Sequence, residues 1–269
     1  MPTRKTQKSL RTRIIYVCMI LVIGLSAFYF VGMRPVRVTP ILMYHSVSHE
    51  EGSSLCVTPE NFVRQMKFLA DNGYSVIAMA ELAEAISNGK QYLPHTVVIT
   101  FDDGFEDNFT YAFPVLAKHG MPAVMFLITG YVDRKDGYLT WDQVRLMQKN
   151  GITFGGHTRN NVYLPSITDT AGLRDEIAGS REDIKENTGA VADIFCYPTG
   201  GFNEEIKEVV KNAGYKAACT TNRGPARLNR DIYALKRAKI TNSDMKKPFH
   251  FRAKLSGFYN AFRKIKKSD

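Results

Sequence analysis

The 269-residue chain has few cysteines and one tryptophan, and it contains no internal repeat. Its four cysteines show no metal-type spacing, and the odd number that follows the first hydrophobic segment defines no disulfide pairing. With 44% hydrophobic and 23% charged residues, the composition is that of a globular protein. Intrinsically disordered, collagen-like and disulfide-scaffold proteins are therefore excluded.

Acidic residues are absent from positions 1–37, which carry a charge of +7. The last 26 residues, 244–269, carry +6, so the stretch between them, 38–243, is left with −3 of the total +10. A nucleic-acid-binding domain would carry its basic excess on the folded part. We therefore expect no nucleic-acid partner, and an anionic membrane or cell wall near the two ends.

Residues 14–33 contain no charge, and as a helix they would span about 30 Å, the thickness of the hydrocarbon core. Five basic residues precede this run and two follow it, which predicts a cytoplasmic N-terminus at 1–13 and an extracytoplasmic remainder. The sequence thus predicts a single-pass cell-membrane protein with a transmembrane anchor. A cleaved signal peptide, with Leu-Ser-Ala at 25–27 as its cleavage site, is the alternative.

The region after residue 33 alternates short apolar runs with helical patterns, which predicts a parallel sheet, open or closed into a barrel. We place one domain at 34–243 and a basic amphipathic tail at 244–269. The expected strands are 40–44, 75–78, 96–101, 123–128, 152–155, 193–197, 216–219 and 235–240. The expected helices are 59–70, 81–86, 109–119, 141–149, 173–186 and 204–212.

Polar, glycine-rich segments follow three of these strands. Asp102 and Asp103 end the most hydrophobic one, where they are either a charged site or a helix N-cap. After the strand at 152–155, His157 and Asn161 are spaced i and i+4, so one helical turn would point both the same way. The loop 197–203 could expose backbone N–H groups. Because ligands bind at the carboxyl ends of parallel strands, we expect these segments to converge.

These segments resemble the polysaccharide deacetylases of carbohydrate esterase family 4, the NodB-homology group. TFDDG at 100–104 matches the first motif of the family, and GGHTRNN at 155–161 matches the second except at its last position. FCYPTGG at 195–201 is similar to the third motif of the branch that acts on N-acetylglucosamine exopolysaccharides, as are MYHSV at 43–47 and LKRAKI at 235–240. The resemblance implies an irregular (β/α) barrel of seven or eight strands.

The resemblance also implies roles for individual residues. A divalent metal, zinc above others, would be bound by Asp103, His157 and the position of Asn161. Asp102 would be the general base, His45 the general acid, and Arg237 the partner of Asp102. The backbone N–H of Thr199 would face the oxyanion. Substrate contacts would come from Tyr197, Pro198 and Gly200.

The expected function is metal-dependent N-deacetylation of N-acetylglucosamine-containing cell-surface polysaccharide, with release of acetate. Asn161 stands where the family usually has histidine, and an amide oxygen is a weaker zinc ligand than imidazole. The alternative is therefore a polysaccharide-binding or scaffold relative with impaired catalysis. Neither the polysaccharide, the metal nor the oligomeric state follows from the sequence.

The tail carries an apolar stripe at helical spacing among basic residues. The stripe comprises Phe251, Leu255, Phe258, Tyr259, Phe262 and Ile265. It predicts either a final helix packed on the barrel or a basic amphipathic helix at a membrane or anionic wall surface.

Overall fold

The computed structural model describes residues 13, 15–26, 38–50, 53–90, 92–221, 229, 231–245 and 248–257. The chain divides into two compact units, Met1–Val36 and Arg37–Asp269. In the first unit, residues 15–26 are helical. The other positions of the expected transmembrane segment, 14 and 27–33, lie outside the described residues. None of the helices that are described has both the length and the apolar character needed to span a membrane.

The second unit is built on a sheet of parallel strands that forms a nearly closed barrel. Eight strands follow one another around it in the order β10-β9-β8-β7-β6-β5-β1-β11, and β4 pairs with β5 outside this path. The short strands β2 and β3 form a separate parallel pair. The strands are β1 Ile41–Tyr44, β2 Ser46–Val47, β3 Cys56–Val57, β4 Ser75–Val76, β5 Thr96–Phe101, β6 Ala123–Leu127, β7 Ile152–Gly156, β8 Ile194–Cys196, β9 Ala217–Thr220, β10 Leu235–Lys236 and β11 Ala238–Lys239.

Helices connect the strands and cover the outside of the barrel. They are α1 Pro59–Asp71, α2 Met79–Ser87, α3 Phe113–His119, α4 Trp141–Lys149, α5 Thr170–Thr188, α6 Glu204–Asn212 and α7 Pro248–Leu255. The larger apolar core lies between one side of the strands and the helices other than α2, whereas α2 packs with alternate strand residues such as Val98 in a second core. This alternation follows from the two-residue period of a strand. The expected barrel of seven or eight strands is confirmed.

The barrel nearly closes where β10 and β11 meet. β10 pairs with β9 and β11 pairs with β1, so one residue, Arg237, stands between the two neighbouring edges. The sequence predicted a single strand over 235–240, and that prediction is wrong at this position. The chain interrupts its ladder here because the Arg237 side chain turns into the barrel, where it is 2% exposed.

The predicted bounds of α4 and α6 are confirmed, and those of the helix over 109–119 are corrected. Thr140 caps α4 through a capping box with Gln143, and the Asn203 side chain accepts from the Ile206 N–H at the start of α6. The expected helix over 109–119 begins instead with a π-helical turn, Asn108–Ala112, before α3.

The predicted C-terminal stripe is only partly within the described residues. Phe251 and Leu255 are buried in the larger core, so the first turns of the tail pack on the barrel. The helix ends at Leu255, and Gly257 follows with a φ of 74°. A single helix running on from Phe251 through Gly257 is therefore excluded. Residues 258–269 lie outside the described residues.

Candidate active site

The two carboxylates that end β5 have different surroundings. Asp102 is buried, whereas the Asp103 side chain is 16% exposed and its backbone has a φ of 73°. A non-glycine residue in this region carries strain of about 1–2 kcal/mol, which is typical of functional sites. The N-cap interpretation of this pair is wrong, because the next helical segment starts at Asn108 after Asp107.

Arg237 holds Asp102 through both carboxylate oxygens. Nη1 donates to Oδ1 at 2.5 Å and Nη2 donates to Oδ2 at 2.7 Å. Nη1 also donates to the Thr100 hydroxyl at 3.0 Å. Burial alone would raise the pKa of Asp102, but the charge and hydrogen bonds of Arg237, together with His45, outweigh it and lower the pKa to about 2. Asp102 is therefore an anion at neutral pH.

His45 follows β1 and faces the same carboxylate. Its Nε2 lies 3.7 Å from Asp102 Oδ2, and its side chain is 11% exposed. Burial, together with the charges of Arg237 and His157, lowers the pKa of His45 more than the two aspartates raise it. Its Nδ1 is buried and has no hydrogen-bond partner among the described residues. The lowered pKa favours the neutral form of His45, and its Nε2 faces Asp102.

His157 follows β7 and faces Asp103. Its Nδ1 lies 2.8 Å from the Cys196 carbonyl oxygen, and its Nε2 lies 3.4 Å from Asp103 Oδ1. Burial lowers the pKa of His157. Cys196, Asp103 and Asp102 raise the pKa by more than burial lowers it, to well above its usual range. The negative groups around the ring therefore favour a positive charge at His157.

This arrangement fits a divalent metal held by Asp103 and His157. A histidine that donates from Nδ1 to a carbonyl presents the lone pair of Nε2, which is the common arrangement in metal sites. Two atoms bound about 2.1 Å from a tetrahedral zinc lie about 3.4 Å apart, in agreement with the separation of Nε2 and Oδ1.

A second group of potential ligands is less suitable. Asp102, His157 and Cys196 place one potential ligand atom each within 4.8 Å of one another. However, Asp102 accepts two hydrogen bonds from Arg237, and Arg237 Nη2 also lies 3.0 Å from Cys196 Sγ. A cation at this place would compete with a buried guanidinium. Asp103 and His157 therefore fit a metal better than the trio does.

The sequence predicted that Asn161 lies one helical turn from His157, and this prediction is wrong. Residues 158–160 form a turn in which Thr158 has a φ of 63°, and Asn161 itself has a φ of 56°. Asn161 is exposed. Its role as a third ligand stays a prediction.

The loop after β8 contains the proposed oxyanion donor. Thr199 has a φ of 53°, and its backbone N–H donates to no other described residue. Gly200 has a φ of 83°, and a Cβ there would collide with the Thr221 hydroxyl, so only glycine fits.

The predicted substrate contacts in this loop are mostly inaccessible side chains. Tyr197 is fully buried and its hydroxyl donates to the Tyr233 carbonyl at 3.0 Å, and Pro198 and Gly200 are buried as well. These residues support the loop from below. A contact of Tyr197, Pro198 or Gly200 with substrate stays a prediction.

Comparisons with known proteins place this site in a family. A model of the polysaccharide deacetylase family matches residues 89–218, which include both carboxylates and His157. YxkH of Bacillus subtilis (strain 168), named as a polysaccharide deacetylase, is 36% identical over 202 residues, 75% of this chain and 71% of YxkH. The chain belongs to the polysaccharide deacetylase family.

One further relative of this deacetylase is named by its substrate, and solved structures are also similar to it. The poly-beta-1,6-N-acetyl-D-glucosamine N-deacetylase of Escherichia coli (strain K12) is 25% identical over 251 residues, which cover 77% of this chain and 37% of the E. coli protein. Among solved structures, Streptococcus pyogenes deacetylase PplD in complex with acetate has a TM-score of 0.75 and 27% identity, covering 82% of this chain and 99% of PplD. IcaB from Ammonifex degensii, with a TM-score of 0.71 and 24% identity, covers 82% of this chain and 98% of IcaB and shares the fold.

Two groups of the deacetylase site were not predicted from the sequence. The Thr100 hydroxyl accepts from Arg237 and donates to the Leu42 carbonyl at 2.8 Å. The Cys196 carbonyl orients His157. Thr100 could have been found from the period of β5, because residues 98, 100 and 102 share one face. A backbone carbonyl leaves no such signal.

Proposed function

We propose that this deacetylase removes acetyl groups from N-acetylglucosamine-containing polysaccharide, with the help of a divalent metal ion. The observation that carries the proposal is the facing pair of Asp103 Oδ1 and His157 Nε2 beside the Asp102–Arg237 pair. The names of the E. coli and Staphylococcus aureus relatives support the substrate class. A cell-surface location is part of the proposal and rests on the charge distribution of the sequence alone.

Asp103 and His157 would hold the metal, with Asn161 as the candidate for a third ligand. A divalent ion bound there lowers the pKa of a coordinated water and polarises the acetyl carbonyl.

The remaining residues would move protons and stabilise charge. Asp102, ionised and fixed by Arg237, would accept the proton of the attacking water. His45, whose Nε2 lies 3.7 Å from Asp102 Oδ2, would take up this proton and deliver it to the leaving amine. The Thr199 N–H points to no partner within the described part of the chain, so it is free to donate to the developing oxyanion.

The test is acetate release by the purified chain from poly-β-1,6-N-acetylglucosamine, chitin oligomers and peptidoglycan, each with and without added zinc. We expect acetate from at least one of the three with zinc, and none from any with the His157→Ala variant. Binding of the polymer without acetate release under every metal condition would contradict the proposal and favour the non-catalytic binding protein.

A further inference from the structure

The loop that carries His157 and Asn161 lies against one face of α5, and this face carries four residues that contact the loop or make room for it. They are Asp175, which accepts from Arg159 Nη1, together with Glu176, Gly179 and Asp183. At about 100° per residue these positions fall within one arc of about 100° on the helix. The sequence predicted a helix over 173–186, and nothing in the catalytic proposal uses this face of α5.

Glu176 binds the backbone of the loop directly. Its Oε2 accepts from the backbone N–H of Arg159 at 2.9 Å and of Asn160 at 3.0 Å, and its Oε1 accepts from the Asn160 side chain at 2.6 Å. The side chain of Glu176 is buried, with 8% of the residue exposed. A buried carboxylate with three donors fixes its donors strongly, because losing them would leave a charge without solvation.

The carbonyl groups of the same loop are held from the other side. The backbone N–H of Thr129 donates to the Thr158 carbonyl at 3.2 Å, and that of Gly130 donates to the Arg159 carbonyl at 2.9 Å. The loop backbone between His157 and Asn161 is therefore bonded on both of its edges. This pairing offsets the strain of the positive φ at Thr158.

The Arg159 side chain lies across α5 and links the loop to this helix. It donates from Nε and Nη2 to Asp183, at 3.0 Å and 2.9 Å, and the Thr129 hydroxyl donates to Asp183 at 2.6 Å. The guanidinium crosses the helix so closely that a Cβ at Gly179 would collide with it. Gly179 thus provides the space through which Arg159 reaches Asp183.

We propose that Glu176 is a positioning residue for the metal-binding loop, which sets the orientation of His157 and Asn161 through the backbone of Arg159 and Asn160. This inference rests on the proposed function, since it assumes that the loop holds a metal. The hydrogen bonds of this carboxylate in the described structure go to Arg159 and Asn160. Its contribution is therefore measured as metal affinity rather than as chemistry.

The experiment measures zinc affinity of the metal-free full chain by competition with a chelator, alongside thermal unfolding. Glu176→Ala removes all three bonds, and we expect zinc affinity to fall 10- to 100-fold, as for other residues that orient ligands. Glu176→Gln keeps an oxygen for the two backbone donors, and rotation of the Asn160 amide restores the third bond, so affinity should stay within about threefold. Glu182→Ala is the matched control, because Glu182 is an exposed carboxylate of α5 that contacts none of the loop.

Two further variants separate the outcomes. Glu176→Asp keeps the charge one methylene short of the loop, and a tenfold or greater loss of affinity in it supports the proposal even if Glu176→Ala does not fold. The proposal is overturned if Glu176→Ala or Glu176→Asp folds and binds zinc with wild-type affinity, with only its unfolding temperature lowered. His157→Ala reports on the site itself: if wild type and His157→Ala bind zinc equally, the proposed metal site fails and the positioning role fails with it.

Discussion

Asp102 and Asp103 are adjacent in sequence, yet each fits a different task. Asp102 is buried and bonded to Arg237 through both oxygens, which leaves it ionised but poorly placed to bind a cation. Asp103 turns out of the strand with a positive φ and faces His157. The sequence indicated that the pair was functional, and the division of roles follows from these contacts.

At His45, the first prediction concerns proton transfer to the leaving amine. We expect His45→Ala to reduce kcat for acetate release by about 10²- to 10⁴-fold, because a general acid contributes this much, with zinc affinity unchanged. Steady-state kinetics and zinc titration measure the two effects.

The control for His45 is His49→Ala. His49 lies near in sequence, but its side chain is 61% exposed and its partner is Glu60. A loss of only a few-fold in His45→Ala, or an equal loss in His49→Ala, would remove His45 from the mechanism.

At Asn161, the second prediction concerns the third ligand. Asn161→His should tighten zinc binding, because imidazole is a better zinc ligand than an amide oxygen, and Asn161→Ala should weaken it. Histidine is also among the residues that adopt the left-handed region more readily, so the φ of 56° does not prevent the exchange. Equal zinc affinity in all three proteins would show that residue 161 is no ligand.

Local sequence was sufficient to predict some strands and helices, but it failed for the turn after His157. The apolar run of β5 and the helix α4 both matched their predicted bounds. The turn after His157 was predicted wrongly as helical, because its backbone is fixed by Glu176 and by the loop after β6, which are distant in sequence. Contacts of this kind are not encoded in the spacing of His157 and Asn161.

The junction of β10 and β11 carries the third prediction, on stability against pH. The pKa of Asp102 in the folded chain, about 2, is below its unfolded value of about 3.9. Because this pKa is lowered on folding, the ionised Asp102 stabilises the folded chain. This contribution is complete above about pH 4 and is lost as pH falls through about 2. Between pH 5 and pH 2, the free energy of unfolding of wild type should fall by about 2 kcal/mol more than that of Asp102→Asn.

Chemical denaturation at several pH values checks this difference. Asp102→Asn should be less stable than wild type at neutral pH, because it leaves Arg237 buried without a charged partner. Asp136→Asn, at an exposed position, should follow the wild-type curve. Parallel curves for wild type and Asp102→Asn over this range would show that the ion pair is not coupled to folding.

For the whole molecule, the alternation of strands and helices predicted a parallel sheet, open or closed, and the family resemblance of the motifs at the strand ends predicted the barrel. The strand ends converge because every strand around the barrel is parallel, which brings His45, Asp102, Asp103 and His157 to one end. The near closure of the barrel could not be predicted, since it depends on how Arg237 divides one apolar run into two short strands. The substrate groove likewise depends on loops whose shape the motifs do not specify.

The central claim is that Asp103 and His157 hold a metal while Asp102 handles the proton, and acetate release measured together with zinc content tests it most directly. Chelator-treated wild type should lose acetate release and regain it with zinc. Asp103→Ala should bind little zinc and release no acetate, whereas Asp102→Asn, assayed where it is folded, should bind zinc as wild type does and still release none. Acetate release that persists without metal, or equal loss of zinc in both variants, would contradict the account.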